Sequence, residues 1–152
     1  MKYMSPEMIT EMDEWEASID SISHNKESVP FLIKVLKTTN YRFLINKLAI
    51  TLGDIKDERA VKPIVDLLAK KDDETPKGNL LTALQQFDYS PYEDLLFDLF
   101  LNGNYEVSCK AYEMLIEIMD QLSDDRRKKI EQKIEDYKDD IARLESFLEL
   151  FK

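Results

Sequence analysis

Apolar residues recur along this chain in a pattern that repeats every 32 residues, and within each repeat their spacing is helical. Ile55–Leu68 aligns with Phe87–Phe100, and Lys47–Ile55 aligns with Asn79–Phe87 and with Ala111–Met119. Such a period predicts a repeat architecture, because each unit buries its apolar face only by stacking on its neighbours.

Seven positions of the repeat are apolar in all three copies. They are Leu32/Ile64/Leu96, Ile33/Val65/Phe97, Val35/Leu67/Leu99, Leu36/Leu68/Phe100, Leu48/Leu80/Tyr112, Leu52/Leu84/Ile116 and Ile55/Phe87/Met119. On each segment these residues stand three or four apart, which places them on one face of an α-helix. Each unit is therefore predicted to be two amphipathic helices joined by a polar turn, and the fold class to be all-α.

The pattern divides residues 1–152 of a single domain into an N-terminal cap helix (1–27), three repeats (28–59, 60–91 and 92–122) and a C-terminal capping segment (123–152). A shift of 33 residues places Trp15, Ile19 and Ile22 on the core positions of the first repeat. Ser123 has the side chain of a helix N-cap, and apolar residues follow it at steps of three and four. We expect one long helix, or two with a kink near Asp139-Asp140, that closes the stack with a polar outer face.

One run of about 20 residues resembles a known family. The run Ala49-x-x-Leu52-Gly53-Asp54-Ile55-x-Asp57-x-Arg59-Ala60-Val61-x-Pro63-Ile64-x-x-Leu67-Leu68 is similar to a HEAT-type repeat of the phycobilisome-lyase subclass. The third repeat keeps the apolar positions but lacks the Gly-Asp and Ala-Val-x-Pro elements. The resemblance implies an α-α superhelix, a short HEAT-like solenoid, and a protein-binding role. It does not imply lyase activity, because no catalytic motif accompanies it.

Composition and charge restrict the partners. The 152 residues carry a net charge of −10, so the chain repels phosphate backbones, and a basic protein is a more natural partner than nucleic acid. No apolar run approaches the roughly 18 residues of a membrane span. The acidic N-terminal segment lacks the basic start of a signal peptide, so we expect a cytoplasmic protein.

Three features that could carry chemistry are better explained structurally. His24 follows Asp20 by four residues, but nothing nearby completes a set of metal ligands. Cys109 has no activating base at recognisable spacing, so we expect a buried thiol that packs as a small apolar residue. The basic cluster at residues 126–129 has acidic neighbours and is expected to be a solvated helix face. We therefore expect no catalytic residue, no metal and no cofactor.

The most suggestive feature is a row of carboxylates on the second helix of the third repeat. Glu106, Glu113, Glu117 and Asp120 fall within roughly 60° of helical arc. In HEAT-like stacks the second helices line the concave surface, so these carboxylates are expected to face inward. The alternative is a solvated face without a partner. In the same register Asp13, Glu16 and Asp20 line the N-terminal helix and Arg42 lies between the two groups, while Tyr41 and Tyr105 are candidate aromatic anchors.

Three functions are to be compared with these features. A small acidic HEAT-like chain resembles the helical immunity proteins that neutralise bacterial toxins, and it could occlude the active site of a basic toxin domain such as a nuclease. The alternative is a scaffold or chaperone subunit of a housekeeping complex. An enzyme, such as a HEAT-like DNA glycosylase or a bilin lyase, fits least, because such glycosylases need a basic groove. We expect the free chain to be a monomer.

Overall fold

The computed structural model describes residues 6–22 and 25–152, and the chain is 82% helix with no strand in those ranges. The predicted all-α class is confirmed. The helices are α1 (Pro6–Ile22), α2 (Val29–Thr38), α3 (Arg42–Ile55), α4 (Val61–Leu68), α5 (Lys77–Leu84), α6 (Glu93–Asn102), α7 (Tyr105–Ile118) and α8 (Asp124–Glu149). His24, considered above as a metal ligand, lies outside the described residues.

The helices pack in the order in which they occur along the chain. Helices α2 and α3, α4 and α5, and α6 and α7 form consecutive pairs, while α1, α3, α5 and α7 contact one another in turn. The crossing of α3 and α5 is close at Gly53, where an added Cβ would lie 3.2 Å from the Cα atom of Ala83. The predicted pairing of two helices in each repeat is confirmed.

The core follows the apolar repeat through its first two units. Leu32, Ile64 and Leu96 are fully buried on the first helices, and the second helices bury Leu48, Leu52, Leu80 and Leu84 completely. Each such side chain contributes roughly 1.5–3 kcal/mol through the apolar surface that it removes from water. At the N-terminal end Ile19 is buried, and Trp15 and Ile22 pack against the same core, as the sequence predicts.

The third unit departs from the repeat on its second helix. The side chains of Tyr112, Ile116 and Met119 were predicted to be core positions, but they are 50%, 54% and 37% exposed. The prediction was wrong by one residue. The residues that α7 buries are Val107, Ala111, Met114, Leu115 and Ile118.

A short turn causes this change of register. Three residues separate α2 from α3, whereas only Gly103 and Asn104 separate α6 from α7. A Cβ at Gly103 would lie 2.5 Å from the carbonyl oxygen of Leu99, so only glycine fits this turn without displacement. Asn104 then caps α7 by accepting a hydrogen bond from the amide of Val107 at 2.9 Å. Every residue of α7 is therefore advanced by one position, and the period from α5 to α7 is 31.

Helix α8 is a single helix fastened to the body by charged contacts near its start. Ser123 caps it, as predicted, by accepting from the amide of Arg126. The Nε atom of Arg126 lies 2.7 Å from the Oε1 atom of Glu93, whose side chain is 8% exposed. Arg127 donates from Nη2 to the carbonyl of Met119 at 2.6 Å, and Lys133 pairs with Asp94. Of its apolar residues only Ile130 is buried.

These contacts correct the interpretation of the basic cluster. Lys128 and Lys129 are exposed, as expected of a solvated face. Arg126 and Arg127 instead hold α8 against the end of the preceding pair. The sequence gives no sign of this role, because the partner of Arg126 lies 33 residues earlier in the chain.

The register of α7 can be tested by a matched pair of substitutions. Ile118→Ala removes a buried side chain and should lower the free energy of unfolding by about 2–5 kcal/mol. Ile116→Ala removes a half-exposed one and should change it by less than about 1 kcal/mol. Urea denaturation monitored by circular dichroism measures both values. A larger loss of unfolding free energy for Ile116→Ala than for Ile118→Ala would show that α7 follows the 32-residue register.

The buried carboxylate of Glu93 makes a second prediction. Arg126→Met leaves Glu93 without its cationic partner and should destabilise the fold by about 1–3 kcal/mol. Lys128→Met removes the same charge from an exposed position two residues away and should cost less than about 0.5 kcal/mol. Equal effects in thermal denaturation would show that the contact with Glu93 contributes nothing.

Candidate protein-binding surface

Two adjoining rows of side chains cover the solvent side of α7 and of the 3-10 turn that follows it, Met119–Gln121. The acidic stripe consists of Glu106, Glu113, Glu117 and Asp120, and the apolar stripe consists of Tyr105, Cys109, Tyr112, Ile116 and Met119. Every one of these residues is exposed. At about 100° per residue, the acidic stripe spans roughly 60° of the helix and the apolar stripe spans roughly 80° beside it. The sequence identified the first stripe and placed much of the second in the core.

The apolar stripe is exposed because, among the described residues, α8 does not pack along α7 in the way that α7 packs along α5. Leu81 occupies the position of α5 that corresponds to Tyr112, and it is fully buried in the stack. Among the described residues the next helix is α8, whose charged contacts are with α6 and the end of α7. The ring of Tyr112 rests on Phe100, with the centroids 5.5 Å apart, and keeps half of its surface exposed.

The four carboxylates of the acidic stripe differ in the contacts that they make with other residues of the protein. Glu117 accepts a hydrogen bond from the hydroxyl of Tyr89, and burial together with this bond raises the pKa of Tyr89. The Oδ1 atom of Asp120 lies 3.6 Å from Nη2 of Arg127. The carboxylate of Glu106 lies over Gly78 of α5. Glu113 is exposed on the same stripe and is the member best suited to substitution without loss of an internal contact.

The carboxylates of α1 lie elsewhere. Lys47 of α3 lies 2.6 Å from Asp20 and 3.8 Å from Glu16 through its Nζ atom, and the hydrogen bond with Asp20 raises the pKa of Lys47. Asp13 is exposed on the same helix. Because α3 and α5 separate α1 from α7, the structure places these carboxylates at the opposite end of the layer from the acidic stripe.

The remaining predicted residues lie around the N-terminal ends of the second helices. Arg42 and Glu106 both line a polar cleft of about 310 Å³ where α3, α5 and α7 begin. The Nη1 atom of Arg42 donates to the carbonyl of Asp73 at 3.4 Å. Tyr41 precedes α3 and is half exposed, while Tyr105 opens α7 and is 87% exposed. Charges of both signs line the cleft, and no cluster of metal-ligating side chains occurs in the part of the chain that the structure describes.

Sequence reasoning missed Cys109, Tyr112 and Ile116 as surface residues. Cys109 was expected to be buried, but it is exposed. A second apolar row was visible in the sequence, since Ala111, Leu115 and Ile118 also stand four and three residues apart. The signal that could have distinguished the two rows is the turn before α7. It has two residues, one fewer than the turn between α2 and α3 in the first repeat.

The exposure of Cys109 predicts its reactivity. In the native protein this thiol should react with Ellman's reagent at a rate within about tenfold of that in urea, because an accessible thiol needs no unfolding to react. A thiol in the core would instead react only through rare opening, several orders of magnitude more slowly. Absorbance at 412 nm follows the reaction directly, and a slow rate limited by opening would contradict the register of α7.

No helix in the described ranges combines the length and the apolar character needed to cross a bilayer. Comparison with protein-family models, with curated proteins and with solved structures finds no match to this chain. The acidic and apolar stripes are therefore the features from which a function can be proposed.

Proposed function

We propose that this chain is a non-catalytic protein-binding module, built as a short HEAT-like α-solenoid, and that the two stripes of α7 bind a basic protein. The observation that carries the proposal is the adjacency of exposed aromatic and aliphatic side chains to a row of carboxylates on one helix. Exposed apolar patches with a polar rim are typical of protein interfaces.

The apolar stripe supplies the binding energy in this proposal. Tyr105 and Tyr112 are large, amphipathic side chains of the kind that dominate interface energetics. Ile116 and Met119 extend the apolar surface along the same side of α7. These side chains contribute little to the stability of the isolated chain while they are exposed, and they gain this contribution when a partner covers them.

The acidic stripe supplies orientation and speed of association. A net charge of −10 attracts a basic partner over long distances, and a row of carboxylates beside the apolar contact favours one orientation of that partner. The same charge repels nucleic acid, whose phosphates would meet Glu113 and Glu117 directly.

The partner that best fits this chemistry is a toxin domain with a phosphate-binding active site, such as a nuclease. Such domains are basic where they hold their substrate. An immunity protein that covers this site places its carboxylates where the phosphates of the substrate would lie, and inhibition follows from occlusion alone. This mechanism requires no catalytic group, metal or cofactor on the inhibitor.

A scaffold or chaperone subunit is the second candidate. The observation that favours it is the exposure of the apolar stripe on the solvent side of α7, where a further helical pair of another protein could continue the packing. The two functions differ in outcome. An inhibitor abolishes the activity of its partner and rescues cells that express it, whereas a scaffold copurifies with its partners and leaves their activity intact.

The test compares variants in affinity purification from the native host and in binding kinetics with the captured partner. Glu113→Lys should slow association roughly threefold to tenfold at low salt and reduce the salt dependence of the rate, because the partner is steered by charge. Tyr112→Ala should mainly accelerate dissociation, because it removes an anchor from the contact.

The matched control is Glu58→Lys, which makes the same change of charge at an exposed position before α4. Unchanged kinetics in the α7 variants, or equal effects in the control, would exclude α7 as the binding surface. A partner whose activity survives saturating amounts of this protein would exclude inhibition and favour a scaffold.

A further inference from the structure

Helix α8 carries a second exposed apolar surface, separate from α7. Five residues of α8 and Phe151, in the turn that follows it, occur at steps of three, four, three, four and three. We name these six residues the α8 seam: Ile134, Tyr137, Ile141, Leu144, Leu148 and Phe151. They are between 39% and 75% exposed. An alternation of three and four residues is the heptad pattern of a coiled coil, in which such positions pack into the gaps of a facing helix.

We propose that the α8 seam pairs with the α8 seam of a second copy of this chain, with the two helices antiparallel. A twofold axis near residues 142 and 143 places Ile141 opposite Leu144 of the second copy. The same register places Tyr137 opposite Leu148 and Ile134 opposite Phe151. All six apolar residues then face an apolar neighbour, and the contact is the same for both copies, as twofold symmetry requires.

The charged residues beside the seam agree with this arrangement. In the antiparallel register Lys138 faces Glu145 of the second copy, and Glu131 faces Lys152 of the second copy. Each pair occurs twice because of the symmetry, and each joins opposite charges. Residues that flank a coiled-coil seam set the orientation of the partner helix in this way.

A parallel pairing of the same seam would instead bring like charges together. In a parallel register Lys133, which pairs with Asp94 of its own chain, would face Lys138 of the second copy, and Asp140 would face Glu145 of the second copy. Both contacts join like charges and would also occur twice. The sequence of α8 therefore selects the antiparallel orientation through attraction in one arrangement and repulsion in the other.

The local ion pairs of α8 do not oppose this rearrangement. Lys138 lies 2.9 Å from Glu135 and Lys152 lies 2.5 Å from Glu149, but all four side chains are well exposed. Exposed pairs of this kind contribute roughly 0–1 kcal/mol. Both lysines can therefore exchange a local carboxylate for one on the facing helix at little cost.

The length of the seam sets the strength of the pairing. The seam runs over eighteen residues, of which the sixteen in α8 extend over roughly 24 Å, and the contact is smaller than the roughly 800 Å² per partner of a standard interface. We expect a reversible dimer with a dissociation constant on the order of micromolar. The chain is then monomeric when dilute, and the expectation of a free monomer is restricted to those concentrations.

Sedimentation of the full chain between about 0.1 µM and 100 µM tests the pairing, since this range brackets the expected constant. The wild-type chain should shift from monomer to dimer across it. Leu144→Asp should weaken the dimer about tenfold or more by placing carboxylates inside the seam. Ser146→Asp adds the same charge to the outer side of the same turn and should leave the constant within about twofold.

Charge exchange tests the orientation. Lys138→Glu alone and Glu145→Lys alone should each weaken the dimer several-fold, and the double variant should restore it. A parallel dimer would respond in the opposite way, because each single change would remove a repulsion. Tyr112→Ala on α7 should have no effect, so the result is independent of the proposed function.

Three results would overturn the proposal: a monomer at all concentrations, as expected if only a different protein covers the seam; a dimer that withstands Leu144→Asp; or single charge changes that strengthen association. Circular dichroism of each variant checks that α8 remains helical.

Discussion

The contact between consecutive second helices determines what this protein presents to solvent. Helices α3, α5 and α7 contact one another in turn. The side chains between them are buried: Leu48 and Leu52 on α3, Leu80 and Leu84 on α5, and Ala111 and Leu115 on α7. A helix has one face to bury, so the choice of that face also fixes the opposite one. For α7 the choice leaves aromatic and acidic side chains outside.

Much of the architecture could be predicted from the periodicity of apolar residues. The paired helices, the buried positions of the first two repeats and the helical character of α8 follow from spacings of three and four residues. Those spacings did not decide between one long helix and two helices with a kink near Asp139-Asp140. Those spacings are reliable where a helix has one apolar row. They fail on α7 because it has two overlapping rows, and the turn at Gly103 and Asn104 decides between them by a single residue. Contacts such as that of Arg126 with Glu93 join distant parts of the chain, so no local sequence pattern predicts them.

The prediction of the site was limited by the same ambiguity. The carboxylates of the acidic stripe were found because charge is placed on the surface in any register. Tyr112 and Ile116 were assigned to the core because apolar residues are expected there. Their exposure changes the chemistry of α7 from a charged face into one with both apolar contact area and charge. The carboxylates of α1 remain further away, partly paired with Lys47.

The two exposed apolar surfaces near the C-terminal end of the stack differ in character. The apolar stripe of α7 is short, rich in aromatic residues and bordered by charge of one sign, which suits a different protein of opposite charge. The α8 seam is long, periodic and flanked by alternating charges, which suits a copy of itself. A chain with both surfaces could pair through α8 while α7 engages a partner.

The most direct measurement compares a methionine of α7 with the one that immediately follows this helix, by hydroxyl-radical footprinting with mass spectrometry. Met114 is fully buried and Met119 is 37% exposed. Since the two side chains are chemically identical, the difference in their oxidation reports accessibility alone. The register described here predicts that Met119 is oxidised much faster than Met114 in the native protein and at a similar rate in urea. Faster oxidation of Met114 would show that α7 buries the opposite row, and the surface assigned to partner binding would then lie inside the core.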